Sequence, residues 1–85
     1  MTTMYVEHAY TELKRQWEAL KQSGPSRKSL EDAQKAVDAT LKKVGGMYYD
    51  PATFPDLDRK GAWTELRHIA EVALEVEKAV FDAQD

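Results

Sequence analysis

Between Gly61 and Ala83, apolar residues recur at alternating spacings of three and four. Ala62, Ile69, Val76 and Ala83 fall seven apart, and Leu66, Ala73 and Val80 form a second series of the same period. Only a helix places both series on one face. Trp63, Ala70, Leu74 and Phe81 flank this seam and widen it. The helix predicted over 58–83 therefore packs against two neighbours rather than one. Glu65, Arg67, His68, Glu71, Glu75, Lys78 and Asp82 lie on its polar side, with Val72 among them as an exposed apolar exception.

The same pattern predicts two earlier helices, over about 4–22 and 27–44. In the first, Tyr5, Ala9, Leu13, Trp17 and Leu20 form the apolar stripe, and Ser23-Gly24-Pro25 ends it. In the second, Leu30, Ala33, Val37, Leu41 and Val44 form the stripe. Ser29 is its expected cap, with Ser26 as a second candidate, and Gly45-Gly46 its expected end. Residues 47–57 hold two prolines, which rule out a regular helix but allow one turn starting at Asp50-Pro51. Asp56 or Asp58 caps the third helix. The expected architecture is all-α, a small antiparallel three-helix bundle over one domain, 1–85, with a fourth short helical turn allowed in the linker.

Composition narrows the function. The chain has 85 residues, no cysteine and a formal charge of −3. Disulfides and thiolate metal sites are excluded, and the acidic balance disfavours nucleic acid. No stretch is apolar enough to cross a bilayer, and no signal segment opens the chain, so a cytoplasmic location is expected.

The residues offer little chemistry. Glu65 and His68 have the Glu-x-x-His spacing of di-iron bundles, but the second pair and the further carboxylates are missing. They read as a solvated helix surface, and His8 reads as a boundary residue. Ser23, Ser26 and Ser29 are turn and cap residues, and Gly45-Gly46 lacks the strand and Gly-Lys-Ser/Thr of a phosphate loop. No catalytic residue, metal ligand or cofactor is expected, and an enzyme is not expected.

What is left is surface. Met47, Tyr48, Tyr49 and Phe54 crowd the irregular linker, either as a plug for the bundle end or as side chains presented to a partner. The end of the third helix is acidic through Glu71, Glu75, Glu77 and Asp82. If Ser29 is the cap, the third helix overhangs the second and leaves Val76, Val80 and Phe81 exposed for self-association. Tyr48-Tyr49-Asp50-Pro51 is roughly similar to the Tyr-Tyr-Pro element of the nuclease-colicin immunity proteins. Trp63-Thr64-Glu65-Leu66 is similar to a stretch of the acyl-CoA-binding proteins. Each likeness covers a short run and assigns no residue a role.

The expected function is thus a small acidic protein-binding module. It would occlude a protein partner, as an inhibitor, immunity protein, antitoxin or phage or plasmid accessory factor does. Tyr48, Tyr49, Phe54, Glu71, Glu75 and Asp82 are its candidate contacts. The alternative is a homo-oligomeric assembly protein joined through Val76, Val80 and Phe81. DNA binding through the short basic clusters of the second helix ranks below both.

Overall fold

The computed structural model describes residues 3–6 and 9–83. The described chain forms three helices, α1 (Ala9–Gln22), α2 (Arg27–Tyr48) and α3 (Arg59–Asp82). They make a small all-α bundle in which α2 runs antiparallel to its neighbours.

The first helix begins later than the apolar stripe suggested. Met4 is extended and pairs with the stretch before α3: its N–H donates to Asp56 O, and its carbonyl accepts from Asp58 N–H, both at 2.7 Å. A pair of backbone bonds to an extended neighbour replaces the first helical turn, and the hydrophobic period of Tyr5 and Val6 does not reveal that competition. Glu7 and His8 lie outside the described residues, and with them the reading of His8. From Ala9 the expected stripe holds, and Leu13 and Trp17 are buried. Ser23 Oγ donates to Leu20 O at 2.7 Å, and Gly24 turns the chain with φ of 69°. That left-handed conformation is cheap only for glycine.

Ser26, not Ser29, caps α2. Ser29 N–H donates to Ser26 Oγ at 3.2 Å, and Ser26 N–H donates to Ser29 Oγ at 3.0 Å. Ser29 thus takes the place that Glu or Gln fills in the usual reciprocal cap. Leu30, Val37 and Val44 are buried at intervals of seven.

Gly45-Gly46 does not stop this helix, which runs on to Tyr48. Neither glycine is left-handed, and Tyr49 N–H still closes on Gly45 O at 2.9 Å. The extra turn is held from outside. Arg59 donates to Tyr48 O at 2.7 Å, its guanidinium lies 4.5 Å from the Tyr48 ring centre, and Tyr48 packs on Trp63. Tertiary contact outweighs the weak helix preference of two glycines, roughly 1 kcal/mol each.

In the linker, Phe54 N–H donates to Asp50 O at 3.1 Å, one helical turn that stops before Pro55. Asp58 caps α3 by accepting from Gly61 N–H at 3.2 Å. The buried residues of α3 are Ala62, Leu66, Ile69, Val72 and Val76. Val72 is therefore core and not an exposed exception. It faces α1, which sits further round α3 than a two-sided seam implies. Ala73, Val80 and Ala83 are only half-buried.

The helices are unequally matched. α3 packs closely on α2 and on α1, while α1 and α2 scarcely meet. The molecule measures 51 × 19 × 15 Å, so its core is a thin layer centred on Ile69, Val72 and Val76. A monomer of this mass is expected to expose about 5,100 Å²; this chain exposes 5982 Å². The excess goes with the elongated shape and the thin core.

Candidate interaction surfaces

The exposed apolar surface is concentrated in two places. One is the outer face of α3. Trp63, Ala70, Leu74 and Phe81 lie within about 40° of one another on the helix and extend over about 27 Å. Trp63 is 46% exposed, Leu74 68% and Phe81 71%. Burying such side chains is worth about 1.5–3 kcal/mol each, so a bare row of them is unusual on a monomer. At its upper end the row meets Tyr48 and Tyr49. The Tyr48 ring lies 5.7 Å from Trp63 and meets Tyr49 edge-on at 4.8 Å. Tyr48 is half-buried against the core, whereas Tyr49 is 71% exposed.

The other place is an open groove of about 1060 Å³ between α1 and α2. Met4, Val6, Ala9 and Leu13 form one wall, and Ala36, Thr40, Val44 and Met47 form the other. Phe54 closes one end. The linker aromatics are therefore divided: Tyr48 and Tyr49 turn to the α3 face, and Phe54 to the groove.

The charged candidates also separate. Glu75 faces α1, 3.6 Å from Lys14 Nζ and 4.0 Å from Lys21 Nζ. Both lysines also bind Glu18, each at 3.1 Å. Asp82 pairs with Lys78 at 3.3 Å. Glu71 and Glu77 are exposed and form no ion pair among the described residues. Three groups on α1 respond to their neighbours. Hydrogen bonding to Arg15 holds the Glu12 carboxyl below its ordinary value. Lys21, then Lys14, does the same for Glu18, and Glu18 in turn raises Lys14.

Glu65 and His68 are not a solvated surface. The Glu65 carboxylate accepts the Tyr10 N–H at the start of α1, and the His68 ring lies 4.7 Å from the Tyr10 ring. Among the described residues, no three His, Asp or Glu side chains converge as a metal site would require.

Of the self-association candidates, Val76 is fully buried inside the chain and unavailable to a partner. Its overhang is filled because α2, capped at Ser26, is a turn longer at that end. Val80 is half-buried, and Phe81 alone of the three stands out from the surface. The missed members of the face are Leu74 and Trp63. Their spacing from Phe81 was visible, but it fitted equally well with a wide buried seam.

No helix among the described residues is long and apolar enough to cross a membrane. The chain matches no protein-family model, no curated protein and no solved structure.

Proposed function

We propose that this chain is a non-catalytic protein-binding module that works by covering part of a partner's surface, in the manner of an inhibitor or antitoxin, in the cytoplasm. One observation carries this reading: Tyr48, Tyr49, Trp63 and Arg59 cluster at the α2–α3 junction and continue into the bare row of α3. Tyrosine, tryptophan and arginine are the residues that dominate binding energy at protein interfaces.

The test is affinity capture from the native host with wild type, Tyr49→Ala and Trp63→Ala. Tyr49 is 71% exposed, so Tyr49→Ala should leave the helix content unchanged by circular dichroism. Trp63→Ala also removes the packing on Tyr48, so Tyr49→Ala decides the test if a turn of α2 is lost. The expected result is one protein retained by wild type and lost from both variants. Identical capture by all three would remove the reading.

The groove between α1 and α2 supports a second reading, a receptor for an apolar small molecule. Its volume is just above the upper limit of such sites, about 1,000 Å³, and its lining is largely apolar. A ligand panel should then raise the Tm of wild type but not of Ala36→Phe, which fills the groove.

A further inference from the structure

The row on α3 has an internal symmetry. Trp63, Ala70, Leu74 and Phe81 are separated by seven, four and seven residues, a spacing that reads the same in both directions. When two such helices lie antiparallel about a twofold axis midway between Ala70 and Leu74, every member of the row meets a member of the other. Leu74 falls opposite the partner's Ala70, large against small, at two equivalent places. Trp63 falls beside the partner's Phe81 at both ends.

The charges have the same polarity along the helix. Residues 59–70 carry Arg59, Lys60 and Arg67, all exposed, while Glu65 is turned to Tyr10 of α1. Residues 71–82 carry Glu71 and Glu77 beside the row, while Glu75 is turned to Lys14 and Lys21 of α1 and Asp82 is paired with Lys78. An antiparallel pair sets the basic half of each helix against the acidic half of the other. A parallel pair would set like against like.

We infer that the partner of this face is a second copy of the chain, paired antiparallel through α3. This rests on reading the face as an interface and names its occupant. The contact is isologous, so it closes at two copies and leaves no row exposed for further growth. One pair of helices is at the small end of specific interfaces, below about 1,200 Å², so the dimer should form reversibly with concentration.

The test has two parts. Light scattering with size-exclusion chromatography, from 10 µM to 1 mM on an order-of-magnitude grid suited to weak interfaces, should show the mass rising from 9.7 kDa toward twice that value. Leu74→Glu, at a site exposed in the single chain, should stay monomeric with unchanged helix content. A wild type that is monomeric throughout, or a Leu74→Glu that still pairs, would overturn the inference.

The orientation is then read from Lys60→Cys carrying a spin label, unique because the chain has no cysteine. Antiparallel pairing places the two labelled positions about 36 Å apart along the axis. A separation under about 20 Å, as in a parallel pair, would refute it. A monomeric result does not decide the capture experiment, which concerns a heterologous partner and is read from Tyr49, outside the paired row.

Discussion

Glu65 on α3 accepts a hydrogen bond at 3.0 Å from the backbone N–H of Tyr10, 55 residues earlier in the chain. Tyr10 is the second residue of α1, where the N–H groups have no partner within the helix. A carboxylate at that position also complements the positive end of the helix. The cap of α1 is thus supplied by a different helix.

Removing that carboxylate should cost what a lost N-cap costs, about 0.5–2 kcal/mol for Glu65→Ala. Glu65→Gln keeps an acceptor and should cost less. Urea unfolding of the three proteins would check this. Equal stability of all three would show that water replaces the carboxylate without loss.

Gly46 lies inside α2 with nothing within 4 Å of where a Cβ would stand. Gly46→Ala should therefore stabilise the protein by about 0.5–1 kcal/mol, because alanine loses less backbone freedom in a helix. Gly45→Ala should also be tolerated, its Cβ meeting only Leu66 Cδ2 at 3.8 Å. A fall in Tm for Gly46→Ala would mean that the helix bends there in solution.

Trp17 is buried on α1, and its indole N–H has no acceptor among the described residues. An unpaired buried donor costs about 1–3 kcal/mol. Trp17→Phe removes the donor and some volume, so the two effects oppose, and the change should stay within about 1 kcal/mol. Trp17→Ala empties the site and should cost about 3–5 kcal/mol. Thermal unfolding of both variants separates these outcomes.

The pH response should be confined to α1 at first. The Glu12 and Glu18 carboxyls are lowered in the folded chain by Arg15 and by Lys21 with Lys14. Their contribution is present above their ordinary value of 4.5 and is lost as pH falls below it. Lys14 is raised by Glu18, so its contribution holds below 10.5 and is lost as pH rises beyond it. Trp17 fluorescence in a Trp63→Phe background should be constant near neutrality and shift below pH 4.5. The pairs are exposed, so salt should blunt the shift. A salt-independent profile would show that these pairs do not hold α1.

Helix type and order were legible because Leu13, Trp17, Val37, Val44, Leu66 and Ile69 repeat at helical spacing, a local property of the chain. Met4, Gly46, Glu65 and Val72 were not legible, and for one reason. Each is decided by a residue far away: Met4 by Asp56 and Asp58, Glu65 by Tyr10, Val72 by the placement of α1. The turn beyond Gly46 depends on Arg59 and Trp63. The α3 face was half legible. Trp63, Ala70, Leu74 and Phe81 could be seen to align, but only the position of α2 and α1 around α3 shows that, among the described residues, Leu74 and Phe81 are left exposed and Trp63 is covered only in part by Tyr48.

The bridge between Met4 and Leu57 has a consequence for synthesis. Met4 and Tyr10 leave the ribosome well before Leu57 and Glu65 exist. At about 5–20 residues per second, a gap of some 55 residues lasts roughly 3–11 s. During that interval α1 has neither its cap nor the core face of α3, and Leu13 and Trp17 have little to bury against. The α2–α3 hairpin can assemble from contacts close in sequence, while α1 joins last. Substitutions in α1 should therefore lower the yield of newly made protein more than they lower the stability of the finished fold.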